Sequence, residues 1–433
     1  MLVTSTDYRN PYRPWPVALF NRAGRLARKA GLGRPLNVDR MVASAQRKTG
    51  LSDFGDDWFL EPLHVLVDSI NSEARLTTLG NMLQNARFIS ALSTRLRVQE
   101  LLGKNPEIRD IELGKIILIA GLQRTGTTAL HRLIGADPRI RALYSWEMLN
   151  PLPLPNEEAG NPVHRKKRGK MAEKTIRYLA PEFFAIHPIE YDAPEEDIFL
   201  LDLSFASQIP EATMHVPTYA KWLEKQDQTR SYEYMRTMLQ VLHWLEPCDA
   251  WVLKTPQHTE WLDVVLKVFP GILIAQTHRD PKKSIASFCS MVAHGRGILS
   301  DHVDPDEIAD HWIEKSLRSM RRSIEVRKSV KSSQFIDISY YDLIREPAVE
   351  LHRIYGRAGI EFDEKAERWW ADKASENRKD WYGKHIYKLN SFSIDAAKLD
   401  RCCDFYRSEY GIPHETSVFS SEFAESETLR GPR

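Results

Sequence analysis

One glycine- and threonine-rich segment has residue types suited to binding a phosphate-like anion. Residues 121–128 read GLQRTGTT, directly after a short apolar run and before a stretch with helical spacing. At such a turn, backbone N–H groups and the helix N-terminus favour an anion, and glycine lets the backbone approach it closely. One arginine adds a positive charge and two threonines add hydroxyl donors. The expected anion-binding residues are Gly121, Gln123, Arg124, Thr125, Gly126, Thr127 and Thr128.

This loop differs from the Walker loop of nucleoside triphosphatases at one decisive position. In the Walker pattern G-x4-G-K-[ST] a lysine contacts the β- and γ-phosphates, whereas Thr127 stands at that position here. The difference argues against triphosphate chemistry. Three alternatives stay open: a nucleotide-dependent kinase or ATPase, a nucleotide-binding protein without catalytic activity, and a turn whose Gly and Thr only cap the helix.

A second candidate anion site follows another apolar run. The predicted strand at residues 272–277 is followed by His278 and then by Arg279. Arg279 therefore lies at the carboxyl end of a strand, where α/β sheets place ligands. The Arg279 guanidinium can bind a phosphate with two hydrogen bonds. Ser287 lies eight residues later on a helix that Pro281 can begin. The alternative is a capped helix with an Arg–Asp surface pair. Two anion sites at two strand ends suggest one nucleotide with phosphate-like groups at both ends.

The elements that position these residues alternate between strands and helices. Four short apolar runs predict strands, and helical spacing predicts helices at residues 57–69, 76–102, 259–269 and 282–292. The pattern predicts an α/β fold with a central parallel sheet flanked by helices. We expect a helical extension over residues 1–110, a main domain over 111–412 with a helical insertion at about 162–248, and a tail over 413–433. The predicted strands are 115–120, 251–254, 272–277 and 335–339.

Composition narrows the class of protein. The 433 residues include 60 Lys and Arg and 59 Asp and Glu, so the formal net charge is +1 and gives no general argument for nucleic-acid binding. No apolar run is long enough to predict a membrane-spanning helix. The four cysteines form no CxxC pair, which favours a reducing compartment and hence the cytoplasm. No spacing of His, Cys, Asp or Glu indicates a metal site. The sequence does not indicate the oligomeric state.

The N-terminal region is locally basic. Residues 1–50 contain ten Lys and Arg and two Asp, and residues 16–31 could form an amphipathic helix. One interpretation is a helix whose apolar face packs on its own domain and whose basic face is solvated. The other is a helix on an anionic membrane surface, which would make the protein peripheral to a membrane.

Four segments together resemble the sulfotransferase family that uses 3′-phosphoadenosine 5′-phosphosulfate (PAPS), over roughly residues 113–395. GLQRTGTT is similar to its 5′-phosphosulfate loop, and HRDPKKSIAS to its 3′-phosphate element, whose arginine and serine correspond to Arg279 and Ser287. WVLKTP at 251–256 resembles its strand-end lysine segment. SYYDLIREP at 339–347 is similar to a segment that places the family tyrosine at Tyr340.

The resemblance implies sulfonyl transfer from PAPS, without a metal, to a hydroxyl of an unidentified small molecule. Arg124 and Lys254 would stabilise the transferring group. One branch of the family uses a histidine base where this chain has Pro256, so that assignment does not carry over. Another branch uses a glutamate after the loop helix, which indicates Glu147 as the general base, with His258 and His187 as rivals.

A further acidic segment, EYDAPEED at residues 190–197, also resembles bacterial-type members of the family. One interpretation is that it lines the entrance for the acceptor. The other is that Pro194, Glu195 and Glu196 begin a helix whose dipole the acids complement. We expect the second.

Overall fold

The structure is a computed structural model that describes residues 2–154, 157, 158, 160–376 and 384–415. Of the tail predicted at 413–433, residues 416–433 lie outside the described residues.

A parallel sheet of five strands organises the described chain. The strands follow the order β2-β3-β1-β4-β5. Pairing aligns Ile119 with Lys254 and Gly121 with Thr277, so the carboxyl ends of the inner strands meet at one edge of the sheet. This arrangement confirms the predicted fold class. The strands are β1 (Lys115–Gly121), β2 (Ile140–Ala142), β3 (Ala250–Lys254), β4 (Leu273–His278) and β5 (Phe335–Ser339).

Helices cover both faces of the sheet. Short 3₁₀ turns occur at Pro106–Asp110, Pro256–Glu260, Ser332–Gln334 and Leu389–Phe392. The α-helices are α1 (Trp15–Lys29), α2 (Val38–Thr49), α3 (Leu60–Glu73), α4 (Thr78–Lys104), α5 (Thr127–Ile134), α6 (Ser145–Leu149), α7 (Val163–Leu179), α8 (Pro181–Ile186), α9 (Ile198–Asp202), α10 (Ile209–Thr213), α11 (Pro217–Leu223), α12 (Thr229–Leu245), α13 (Leu262–Val268), α14 (Pro281–Leu299), α15 (Pro305–Lys328), α16 (Tyr340–Arg345), α17 (Pro347–Ala358), α18 (Glu364–Glu376), α19 (Ala396–Cys402) and α20 (Asp404–Tyr410).

Alternate residues of β1 enter two separate apolar cores. Leu118 packs into a core that includes side chains of α2, α3 and α4, while Ile117 and Ile119 pack into a core with α14, α15 and α17. Because successive side chains of a strand point to opposite faces, a continuous apolar run such as KIILIA requires cover on both sides. The N-terminal helices therefore share a core with the sheet.

Local signals set the helix starts near the site. Pro281 is the first residue of α14, as expected, and the Asp280 carboxylate accepts a hydrogen bond from the Lys282 N–H at 3.2 Å. Within the part of the chain that the structure describes, no helix combines the length and apolarity needed to cross a membrane.

Candidate active site

The loop between β1 and α5 has a backbone shape that two glycines make possible. Gly121 has φ +132°, and a Cβ there would lie 2.4 Å from the Thr277 hydroxyl oxygen. Gly126 has φ +89°, and a Cβ there would lie 3.1 Å from the Tyr340 ring. Both positions therefore require glycine. Gly126 caps α5 without a side-chain hydrogen bond, so no side chain of the cap residue satisfies the N–H groups of the first turn.

Thr125 holds this loop against the neighbouring strand. Its buried hydroxyl donates to the Leu122 carbonyl at 2.6 Å and lies 2.6 Å from the Thr277 hydroxyl. Thr127 is also buried, whereas Thr128 is exposed at the start of α5 and Gln123 is half-buried. Of the three threonines in the predicted loop, Thr125 and Thr127 are thus buried and Thr128 is exposed.

Arg124 connects the loop to the second predicted anion site. Its φ of +67° is unusual for a residue with a side chain. Its Nε donates to the Ser287 hydroxyl at 3.2 Å, and its carbonyl accepts from the Arg279 guanidinium at 3.1 Å. Burial and the nearby Arg279 charge both lower the pKa of Arg124. The structure therefore brings together Arg124, Arg279 and Ser287, and two adjacent guanidinium groups favour an anion between them.

Arg279 already holds a carboxylate. Its guanidinium donates to both oxygens of Glu415, at 2.7 and 3.0 Å, and stacks on the Tyr340 ring at 4.1 Å from the centroid. Burial alone would lower the pKa of Arg279, but Tyr340 and Glu415 outweigh this effect and raise it. Asp280 pairs with Arg407 at 2.9 Å instead, so the Arg–Asp surface pair considered for this segment does not form.

Lys254 ends β3 and points to the loop. Its buried Nζ donates to the Glu196 carboxylate at 2.6 Å and lies 3.5 Å from the Thr128 hydroxyl. The other Glu196 oxygen accepts from the Thr255 hydroxyl at 3.0 Å. Burial alone would raise the pKa of Glu196, but Lys254 and His187 outweigh it and the pKa lies below its usual range. The sequence carries no local signal for this pairing, because 58 residues separate Glu196 from Lys254.

Two observations decide the family of this chain. The structure joins the two predicted anion-binding elements at neighbouring strand ends, and a sulfotransferase family model matches residues 117–364. The chain belongs to the sulfotransferase family. It is similar in sequence to the omega-hydroxy-beta-dihydromenaquinone-9 sulfotransferase Stf3 of Mycobacterium bovis and of Mycobacterium tuberculosis. Identity to each is 24% over 302 residues, which cover 64% of this chain and 69% of the relative.

Solved sulfotransferase structures are similar to this chain in fold as well. Sulfotransferase STF1 from Mycobacterium tuberculosis H37Rv is 32% identical, with a TM-score of 0.74 over 85% of this chain and 98% of the other. Sulfotransferase STF9 from Mycobacterium avium is 25% identical, with a TM-score of 0.79 over 88% of this chain and 98% of the other.

The three candidate bases of this sulfotransferase occupy different environments. His187 follows α8, and its pKa is lowered by burial, against the opposing charges of Glu195 and Glu196; Lys254 and Arg124 lower it further. Arg124 also donates to the carbonyl of the preceding residue, Ile186, at 3.3 Å. His187 therefore lies among the charges of the site.

His258 is fully buried and has partners at both ring nitrogens. Nε2 lies 3.0 Å from the Asp197 carboxylate and Nδ1 lies 3.0 Å from the Tyr232 hydroxyl. These bonds connect α12, the turn after β3 and the segment before α9. The arrangement suits a structural role, because no ring nitrogen is left to take a proton from a substrate.

Glu147 lies in α6 with its carboxylate on an arginine of the edge strand. Oε1 accepts from Arg141 at 2.7 Å, and Arg141 also donates to the carbonyls of Leu242 and Glu246 at 2.6 Å. Burial raises the pKa of Glu147, while Arg141 opposes the shift. Neither Arg141 nor its other partners lie in the loop of residues 121–128 or contact Lys254. The role of Glu147 as the general base therefore stays a prediction.

Pro194, Glu195 and Glu196 do not begin a helix, and Asp197 is the N-cap residue of α9. The Glu195 N–H donates to the Leu143 carbonyl at 2.7 Å, Pro194 forms a bridge with Tyr144, and α9 begins only at Ile198. The expected helix start is therefore wrong, since this backbone pairs with the chain after β2.

Among the described residues, no group of three or more His, Cys, Asp or Glu could hold a metal ion. That the reaction needs no metal stays a prediction.

Proposed function

We propose that this sulfotransferase moves a sulfonyl group from PAPS to a hydroxyl of an apolar small molecule. The observation that carries the proposal is the connection of Arg124 to both Ser287 and Arg279. It links the loop that would hold the 5′-phosphosulfate to the element that would hold the 3′-phosphate. A nucleotide with anionic groups at both ends would engage both elements at once.

The residues present fit such a donor. Arg279 binds a carboxylate with two hydrogen bonds in this structure, and a phosphate offers the same planar pair of acceptors. Ser287, whose hydroxyl accepts from Arg124, would be a further donor, and the Arg279 guanidinium lies over the Tyr340 ring. Near the 5′ end, Gly126 leaves the N-terminus of α5 open to an anion.

The reaction is an in-line displacement at sulfur. A bond forms between the acceptor oxygen and sulfur, while the bond between sulfur and the 5′-phosphate oxygen breaks and its electron pair leaves with adenosine 3′,5′-bisphosphate. The acceptor proton goes to a base. Arg124 and Lys254 would stabilise the negative charge on the sulfonyl and bridging oxygens. Lys254 would exchange Glu196 for the sulfonyl group when the donor binds.

We place His187 first as the general base, with Glu147 and Glu196 as the alternatives. The lowered pKa of His187 keeps its imidazole neutral at neutral pH, which a base requires. No hydrogen bond of its side chain to another described residue is present, whereas Glu147 is held by Arg141. Glu195 and Glu196, which interact favourably with a charged His187, would stabilise the imidazolium that forms.

An apolar acceptor is supported by a relative. A small groove between the N-terminal segment, the α7–α8 corner and α14 has room for no more than about one water molecule, so it does not itself hold an acceptor. Its lining combines apolar side chains such as Leu179, Phe183 and Ile298 with the charged or titratable Asp7, Arg13, Glu182 and His294. Phe183 makes an edge-on ring contact with His187, with centroids 6.1 Å apart. The Stf3 relatives are named for a menaquinone substrate, which is an apolar molecule with a terminal hydroxyl.

Transfer of ³⁵S from labelled PAPS tests the proposal. A long isoprenoid alcohol and a monosaccharide would each be offered as acceptor, without added metal, and hydrolysis of Mg-ATP would be measured in parallel. We expect label in the extracted isoprenoid product, and its loss in Arg124→Ala. Label only in the monosaccharide would contradict the apolar acceptor. Hydrolysis of Mg-ATP without any sulfonyl transfer would favour the kinase or ATPase alternative.

A further inference from the structure

Helix α1 contacts the rest of the protein through its polar side. The buried Asn21 carboxamide oxygen accepts the Leu79 N–H at 3.0 Å, at the start of α4. Gly24 passes so close to α4 that a Cβ would lie 2.0 Å from the Thr78 hydroxyl oxygen. Arg28 donates to the Leu76 carbonyl at 2.9 Å. Asn21, Gly24 and Arg28 follow the i, i+3, i+7 spacing of one helix face.

The opposite face of α1 is apolar and exposed. Trp15 is 77% exposed, Leu19 61% and Leu26 63%, and these residues lie within about 40° of each other around a helix of 3.6 residues per turn. Asn21 is the buried residue of this helix. The interpretation in which the apolar face of this helix packs on its own domain is therefore wrong. The helix is inverted relative to an ordinary surface helix.

Positive charge borders this apolar face. Arg22 and Lys29 lie on its flank, and neither forms an ion pair with another described residue. Arg25 pairs with Asp301 at 2.7 Å and Arg28 donates to the Leu76 carbonyl, so both of these cations, on the side of α1 that faces the protein, have partners. No Asp or Glu occurs between residues 8 and 38. The face that is left open thus combines apolar side chains with uncompensated cations.

We propose that α1 docks on an anionic lipid bilayer, with Trp15, Leu19 and Leu26 among the acyl chains and Arg22 and Lys29 at the headgroups. A bilayer surface offers an apolar layer directly beneath an anionic one, and this face matches both. A helix that lies in the interface needs no membrane-spanning length. The inference does not depend on the proposed acceptor, although Tyr12 and Arg13, which line the groove, lie just before Trp15.

Sedimentation with vesicles tests the proposal on the full chain. The vesicles contain phosphatidylcholine alone or phosphatidylcholine mixed with phosphatidylglycerol. The variant Leu26→Glu places a carboxylate on the exposed face, away from the contacts of Asn21 and Gly24. The matched control is Val349→Glu, at a 49% exposed position of α17. Circular dichroism and the melting temperature would show that both variants fold as the wild type does.

We expect the wild type to bind the anionic vesicles, and high salt to weaken that binding. Leu26→Glu should weaken it by at least about tenfold, because a carboxylate would have to enter the acyl region beside anionic lipid. Val349→Glu should bind as the wild type does. Wild type that stays in the supernatant, or equal binding by the two variants, would overturn the proposal. So would a dimer in the absence of vesicles that Leu26→Glu converts to a monomer, because the face would then join two copies.

Discussion

Arg279 and Glu415 form a two-fold hydrogen-bonded ion pair, at 2.7 and 3.0 Å, at the edge of the sheet where the donor nucleotide is proposed to bind. The carboxylate stands where the proposed function places the 3′-phosphate. The Glu415 N–H also donates to the Asp280 carboxylate at 2.8 Å, which holds the segment in place. Under the proposed function, the donor and the C-terminal segment would therefore compete for one guanidinium.

Removing the Glu415 charge should favour the nucleotide. In Glu415→Gln we expect adenosine 3′,5′-bisphosphate to bind about tenfold more tightly, because a charge-assisted pair contributes about 1.5–3 kcal/mol and 1.4 kcal/mol corresponds to tenfold. Calorimetric titration measures the change. Glu409→Gln, an exposed acid of α20, is the control and should leave the affinity as it is. Identical affinities in all three proteins would mean that Glu415 does not obstruct the site.

Lys254 should be required for the chemical step. We expect Lys254→Met to lower kcat by about 10²–10³, as the loss of one transition-state donor does. The single variant leaves the Glu196 carboxylate without its cation, so stability should fall as well. The double variant Lys254→Met/Glu196→Gln should regain stability but not kcat, and Lys267→Met of α13 should behave as the wild type. Recovery of kcat in the double variant would show that Lys254 matters only for folding.

The pH profile should report His187. As a base, its imidazole must be neutral, so kcat/KM should fall as the pH drops through its pKa, which burial places below 6.5. Well above that pKa this group should cause no further change. His187→Gln should lower kcat/KM by about 10²–10⁴ and remove this acidic limb. An unchanged limb in that variant would assign the base to another group, with Glu196 and Glu147 next.

Glu147 should matter for stability more than for rate. Glu147→Gln removes the charge that faces Arg141, which is itself buried, so we expect a loss of about 1–3 kcal/mol in the free energy of unfolding. The control is Glu246→Gln, because Glu246 also faces Arg141, at 3.6 Å, but is exposed. Chemical denaturation and kcat would be measured together. A kcat at least about 10²-fold lower with unchanged stability would instead identify Glu147 as the base, as its position after the loop helix indicated.

Four of the five strands of the sheet could be predicted from the local sequence. The four predicted strands are present because each is a short, largely apolar run between turn signals. The inner strands β1, β3 and β4 are buried on both faces, whereas Asp337 of the edge strand β5 is exposed. The strand β2 (Ile140–Ala142) was not predicted, since three residues at a sheet edge give no measurable periodicity. The start of α14 was predicted because Asp280 and Pro281 act on their immediate neighbours.

The site was predictable only where its residues lie within motifs. Arg124 and Arg279 were found because each follows a predicted strand, and Ser287 because it lies eight residues after Arg279 on the helix that Pro281 begins; the structure brings the three together. Glu196 and Glu415 were not found as partners of Lys254 and Arg279, since 58 and 136 residues separate the members of these pairs. The acids of residues 190–197 gave a signal, but their tertiary pairing overrode the local preference for a helix start.

Binding of the 3′-phosphate to Arg279 tests the central claim most directly. Wild type and Arg279→Ala would each be titrated calorimetrically with adenosine 3′,5′-bisphosphate and with adenosine 5′-phosphate, which lacks the 3′ group. We predict that the wild type binds the bisphosphate at least about tenfold more tightly, and that Arg279→Ala abolishes this preference while still binding the monophosphate. Equal affinity of the wild type for the two nucleotides, or a preference that survives in Arg279→Ala, would contradict the assignment of the donor site.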